Sequence, residues 1–244
     1  MSLTDAETEP VADLHFYFDP ICPFAWMTSK WVRLVAEQRD YTVDWRFIAL
    51  RMVNETVDYD TQFPPEYRDL HIAGTKLLRV AAAIREAHGR PAVGDFYAAL
   101  GTEMWDSGRK FGQPAAVALV EAVLDAAGLP AELTAALEDE GFDELLREET
   151  NEALALTGKD VGTPILHFRP PDGAAFFGPV ISRLPSREQA LELWEHVVGL
   201  AEFAGFSELK RSLRELPQLR ALGVSEEEIG ASEDWHGGSR KLKK

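Results

Sequence analysis

A single cysteine occurs in 244 residues, Cys22, within Phe18-Asp19-Pro20-Ile21-Cys22-Pro23-Phe24-Ala25-Trp26. An apolar run ends just before it and an amphipathic pattern starts just after it, which places its sulfur at the first turn of a helix. Unpaired backbone N–H groups and the positive end of the helix dipole favour thiolate over thiol there, and the thiolate is the nucleophilic form. Pro23 suits an early helical position. Phe24, Met27, Trp31 and Leu34 then recur at steps of three and four residues along one face. An isolated cysteine is more often a small buried apolar side chain, so the helix-start context is what marks this one for chemistry.

Two thiols spaced Cys-x-x-Cys cycle between dithiol and disulfide. Here the fourth position is Ala25, and with one cysteine in the chain no intramolecular disulfide can form. Any redox cycle must therefore pass through a mixed disulfide with another molecule. Asp19, three residues before the sulfur, either raises the thiol pKa from a buried position beside it or acts as a simple cap. Phe24 and Trp26 are expected to line a ligand groove next to Cys22. The histidines, His15, His71, His88, His167, His196 and His236, show no paired ligand spacing and read as packing or surface residues, so no metal is expected. The chain carries no Gly-rich phosphate loop and no Gly-x-Ser-x-Gly elbow.

The elements that position Cys22 follow from the hydrophobic pattern. Leu14 to Phe18 is a nearly continuous apolar run, a strand covered on both faces. A helix is expected from Pro23 to Gln38. Tyr41, Val43, Trp45 and Phe47 then alternate with polar residues as a second strand. Strand, helix, strand implies a parallel pair with a right-handed crossover. From Pro64 to Gly158 the pattern is helical throughout: Glu66 to His88, Val93 to Asp106, Pro114 to Ala127, a short helix opened by Pro130, and Phe142 to Leu156. Glycines past the ends or prolines inside the starts mark these boundaries. Pro164 to Phe168 is a short strand, and Ala174 to Phe177 pairs back on it across a turn. Ser186 and Gln189 form a capping box for a helix that buries Ala190, Trp194, Val197 and Ala201 and ends at Gly205. Beyond Pro217 a polar, acidic, loosely attached tail is expected, with Trp235 as a docking candidate.

The balance of 41 Asp and Glu against 25 Lys and Arg gives a net charge of −16, which repels nucleic-acid phosphates and anionic membranes. Arg240, Lys241, Lys243 and Lys244 read as a solvated basic end. The acidic N-terminus has neither the basic nor the apolar region of a secretory signal, and no apolar stretch reaches bilayer length. A soluble cytoplasmic protein without nucleic-acid or membrane partners is therefore expected.

Three motifs in order, Phe16 to Trp26, the loop Val161-Gly162-Thr163-Pro164, and Phe176-Phe177-Gly178-Pro179-Val180-Ile181-Ser182-Arg183, resemble the DsbA-like family, nearest the actinobacterial mycothiol-dependent nitroreductase branch. The resemblance implies an α/β, thioredoxin-like fold with a large all-helical insertion. The thioredoxin-like part would comprise residues 11–62 and 159–205, the helical insertion 63–158, and a helical or flexible tail 206–244. It further implies Cys22 as the nucleophile, supported by Asp19, Pro23, Phe24, Ala25 and Trp26. Thr163 and Pro164, joined by a cis peptide bond, would face Cys22 and hold the thiol co-substrate. The helical insertion, which contains His71, would cover the site.

The expected chemistry is a monothiol oxidoreductase cycle on disulfides or electrophilic small molecules, completed by mycothiol or a glutathione-like thiol. Ala25, where dithiol relatives carry the resolving cysteine, argues against dithiol exchange. The same resemblance extends to kappa-class glutathione transferases and 2-hydroxychromene-2-carboxylate isomerases, in which the bound thiol is the nucleophile. A non-catalytic binding protein is the third reading. A homodimer is implied by the resemblance alone.

Overall fold

The computed structural model describes residues 12–107, 117–210, 213–215, 217–224 and 232–234. Its centre is a four-stranded sheet in the order β2-β1-β3-β4, built from β1 (Leu14–Phe18), β2 (Val43–Phe47), β3 (Ile165–Phe168) and β4 (Ala175–Phe177). β1 runs parallel to β2, with Phe16 opposite Trp45. It runs antiparallel to β3, with Phe16 opposite Leu166, and β3 pairs antiparallel with β4. Helix α1 (Pro23–Ala36) makes the crossover between the parallel strands.

The period of two in β1 divides the interior. Leu14, Phe16 and Phe18 enter the large apolar core, whereas Tyr17 points to the opposite face and packs with Ile48, Ala153 and Ile165. The Trp31 indole of α1 donates to the Ala190 carbonyl at 2.9 Å, which fixes α1 against α8 (Arg187–Glu202). The expected capping box is present at the start of α8, since Ser186 and Gln189 each bond the other's backbone. α8 ends at Glu202, three residues before Gly205.

Between β2 and β3 come α2 (Leu50–Val53), α3 (Tyr59–Gln62), α4 (Glu66–His88), α5 (Arg90–Gly101), α6 (Val117–Ala126) and α7 (Asp143–Thr157). Gly89 and Gly158, just past the ends of α4 and α7, sit at φ +82° and +94°, conformations in which a side chain is strained. The helix expected over Val93 to Asp106 is shorter and earlier: α5 stops at Gly101 and the chain continues as a π-helical turn, Thr102–Asp106. The segment opened by Pro130 is a 3-10 helix, Ala131–Glu138, rather than an α-helix.

Helix α7 is tied to the sheet by a buried ionic cluster. Glu149, 4% exposed, accepts from the Phe47 N–H at 2.8 Å and from Arg85 at 2.7 Å, with Arg46 at 3.4 Å. Removing the carboxylate leaves two guanidinium groups with reduced compensation, so Glu149→Ala should cost about 3 kcal/mol or more. Urea denaturation of the variant against wild type measures it; a loss under about 1 kcal/mol, the range of exposed pairs, would show the cluster to be effectively solvated.

The C-terminal region departs from expectation. Leu219 is 1% exposed and Ala221 7%, both part of the main core, and the Gln218 N–H donates to the Ser182 carbonyl at 2.8 Å. Pro217, Leu219 and Ala221 are buried at alternate positions, and Leu222 packs against the core beside them. A short antiparallel pair, β5 (Leu213–Glu215) and β6 (Ser232–Asp234), flanks it. Trp235, His236, the basic run Arg240 to Lys244 and the N-terminal residues 1–11 lie outside the described residues.

Candidate functional site

The site is assembled where three connections meet: the turn from β1 into α1, the loop before β3, and α2. Cys22 is the N-cap of α1, in an extended conformation with φ −88° and ψ 111°, and Pro23 follows as the first helical residue. The Ala25 N–H donates to the Cys22 sulfur at 3.4 Å, and the Trp26 N–H donates to the Cys22 carbonyl at 3.1 Å. A helix-end donor thus points at the sulfur, the arrangement that stabilises a thiolate. Cys22 is partly exposed, as are Pro23 and Phe24.

Opposite the sulfur stands the Thr163–Pro164 loop. The Cys22 thiol donates to the Thr163 carbonyl at 3.3 Å. The Thr163–Pro164 peptide is cis, and the Thr163 hydroxyl donates to the Tyr17 carbonyl at 2.9 Å, securing the loop to β1. The Pro164 carbonyl in turn accepts the Gly178 N–H at 2.8 Å, so the segment after β4 forms the next wall. Thr28 of α1 reaches the same wall, its hydroxyl donating to the Pro179 carbonyl at 2.8 Å.

Asp19 is fully buried behind Cys22. Its carboxylate accepts the Ile21 N–H at 3.1 Å and the Leu50 N–H at 2.8 Å, and its backbone carbonyl accepts the Cys22 N–H at 3.0 Å. Burial pushes its pKa up to about 7, against the downward pull of the two backbone donors. Asp19 is therefore not the cap of α1; Cys22 is. α4 closes over the carboxylate at Gly74, where an added Cβ would lie 2.6 Å from an Asp19 oxygen and 2.8 Å from Ile21. Only glycine allows that approach.

Trp26 does not line a groove. It is 3% exposed and packs edge-on to Tyr97, with its ring against Gly101, where a Cβ would come within 2.2 Å. The missing side chain at Gly101 makes the slot that draws the indole inward, while Phe24 stays partly exposed beside Cys22. Ala25 is likewise fully buried. The buried phenol of Tyr97 is pushed well above its ordinary range, first by burial and next by the charge of the Cys22 sulfur, with Asp19 adding to it. Tyr97 stacks on Phe18 at 3.9 Å and belongs to α5, so the helical block meets Cys22 from below. Trp105 of the π-helical turn donates to the Pro20 carbonyl at 3.0 Å. These helical-block contacts escape sequence reading because Tyr97, Gly74 and Gly101 look like ordinary helix residues; the two glycines in helical surroundings are the signal that could have marked them.

His71 is 4% exposed and bonds Tyr59 through Nδ1 at 2.6 Å, with Phe63 and Tyr67 against its ring. It belongs to an aromatic cluster joining α3 to α4. Among the described residues no group of His, Cys, Asp and Glu could hold a metal ion, and no helix is long and apolar enough to cross a membrane.

Comparison with known proteins places this geometry. A protein of Mycobacterium tuberculosis (strain ATCC 25618 / H37Rv), described as uncharacterized protein Rv2286c, is 34% identical over 197 residues, 80% of each chain. The cytosolic disulfide reductase DsbM from Pseudomonas aeruginosa superposes with a TM-score of 0.50 at 16% identity, over 77% of this chain and 99% of that one. It shares the DsbA-like thioredoxin fold. The family model described as Rv2466c-like, mycothiol-dependent nitroreductase Rv2466c, matches residues 21–211. With Cys22 at the start of α1, the facing Thr163–Pro164 loop and that match across most of its length, the chain belongs to the Rv2466c-like family of mycothiol-dependent nitroreductases.

Proposed function

We propose that the protein is a cytoplasmic monothiol oxidoreductase in which Cys22 is the nucleophile and mycothiol the reducing thiol. The observation that carries the reading is the Cys22 sulfur itself, which takes a helix-start N–H while facing the Thr163 carbonyl, with Ala25 one turn on in place of a second thiol. Family membership supports a thiol oxidoreductase in general. Mycothiol enters from the family's description, and the thioredoxin-like part, residues 11–62 with 159–205, is proposed to carry the site beneath the helical block 63–158.

In the cycle, the Cys22 thiolate attacks the mycothiol sulfur of a mixed disulfide, R–S–S–mycothiol. The sulfur–sulfur bond breaks, the substrate leaves as its thiolate, and Cys22 becomes linked to mycothiol. A second mycothiol thiolate then attacks the mycothiol sulfur of that linkage, releasing Cys22 thiolate and mycothiol disulfide. The net change is that R–S–S–mycothiol and one free mycothiol thiolate give the substrate thiolate and mycothiol disulfide, so the disulfide bond is exchanged and one free mycothiol is consumed. Pro23 and Phe24 border the approach, while Thr163 and Pro164 supply the backbone against which the thiol co-substrate docks.

Incubation with oxidised mycothiol, oxidised glutathione and oxidised coenzyme A in parallel, followed by intact-mass analysis, tests the assignment. The expected result is one half-disulfide adduct, on wild type only, selective for mycothiol and removed by a reductant. A selective glutathione or coenzyme A adduct would replace mycothiol as the co-substrate. No adduct with any of the three would overturn the monothiol reading.

A further inference from the structure

The family match ends at residue 211, yet the structure continues through a segment that enters the core beyond it. Residues 217–222 run between two segments that each bond a backbone carbonyl of the Cys22 site, Gly178 to Pro164 and Trp105 to Pro20. At one end the Gln218 N–H donates to the Ser182 carbonyl at 2.8 Å, in the stretch that begins at Gly178, whose own N–H holds the Pro164 carbonyl at 2.8 Å. At the other end Arg220–Leu222, a short 3-10 turn, lies against the π-helical turn Thr102–Asp106. Trp105 in that turn is fully buried and holds the Pro20 carbonyl, two residues before Cys22. Leu219 and Ala221 share one apolar core with Trp105, at 1% and 7% exposure.

The two walls have no direct covalent link near the site: one descends from β4, the other from the end of α5. A 3-10 turn and a π-helical turn are both imperfect elements, held more by packing than by their own hydrogen bonds. Here the 3-10 turn of the C-terminal segment packs directly on the π-helical turn. Local opening of such regions is governed by the few apolar contacts and backbone bonds that close them.

We propose that residues 217–222 form a clasp that fixes the Gly178–Ser182 wall against the Trp105 wall, and so sets how large a thiol or electrophile reaches Cys22. Leu219 is its anchor and the Gln218–Ser182 bond its latch. Both are positioning residues, acting through the two walls rather than on the reacting atoms. The proposal rests on Cys22 being the reacting sulfur, but its test reads access to that sulfur and does not require turnover.

The test is the rate of Cys22 alkylation by a small reagent, iodoacetamide, and by a bulky one, fluorescein maleimide. It compares wild type, Leu219→Ala, a chain ending at residue 216, and Leu124→Ala in α6 as a core-cavity control. Leu219→Ala should raise the bulky-to-small rate ratio by about fivefold or more, while the control leaves it unchanged. If the shortened chain does not fold, Leu219→Ala alone decides. An unchanged ratio in a folded Leu219→Ala protein, or an equal rise in the control, would overturn the clasp. An unchanged ratio in Leu219→Ala together with loss of turnover in Cys22→Ser would overturn the clasp alone, whereas retained turnover in Cys22→Ser would overturn the redox reading and leave the clasp standing.

Discussion

Cys22→Ser should lower turnover of a mycothiol mixed disulfide by about a thousandfold or more while leaving the fold intact. The side chain is partly exposed and its replacement removes little packing, so the thermal midpoint should stay close to that of wild type. A serine hydroxyl at the N-cap of α1 can still accept the Ala25 N–H, and serine is a favourable cap. What disappears is the polarisable sulfur. A hydroxyl near neutral pH has almost no ionised fraction and cannot store the mixed disulfide through which a one-thiol cycle must pass. Steady-state rates with the mixed disulfide, paired with intact mass, decide the point. If the serine variant kept full turnover on a thiol-dependent carbon substrate, the bound thiol would be the nucleophile and the transferase or isomerase reading would replace the redox one.

Much of this arrangement is written in local pattern. Proline 23 after a lone cysteine, the three-and-four spacing from Phe24 to Leu34 and the alternation from Tyr41 to Phe47 each report a physical constraint on a single element, and β1, α1 and β2 stand where those constraints put them. α4 runs from Glu66 to His88 as its pattern requires, because Gly89 ends it in a left-handed conformation. The neighbours of Asp19 and Trp26 are a different matter. They depend on which helices pack on which, and a glycine such as Gly74 or Gly101 carries no periodic signal of the side chain it admits. The same holds for Leu219, whose place in the core shows only once the π-helical turn and the 3-10 turn Arg220–Leu222 are seen to pack together. Long-range convergence, rather than local propensity, is what the sequence leaves unread.

Asp19→Asn should flatten a pH dependence of stability that wild type carries between about pH 4 and pH 7. The carboxyl titrates near 3.9 in an unfolded chain, and burial raises it to about 7 in the fold. Within that window the folded state binds the proton more tightly than the unfolded state does. The stability this supplies is therefore fully present below about pH 4 and lost as pH rises through 7, by about 4 kcal/mol for a shift of roughly three units. Asparagine has no proton to lose. It keeps one acceptor for the Leu50 or Ile21 N–H and forfeits the other, a constant offset that does not change with pH. The difference in unfolding free energy, variant minus wild type, should therefore rise by several kcal/mol from pH 4.5 to pH 8, as read by urea denaturation along the series. A difference that stayed level would mean the carboxyl is hydrated in solution and titrates normally. The cost of this burial falls beside the sulfur proposed to react. A carboxyl that stays protonated up to neutral pH spares Cys22 a neighbouring negative charge, whereas its ionisation above that range opposes the thiolate that the helix start favours. Of the two roles open to Asp19 from sequence, capping α1 is taken by Cys22, and the Asp19 carboxylate is spent instead on the Ile21 and Leu50 N–H groups.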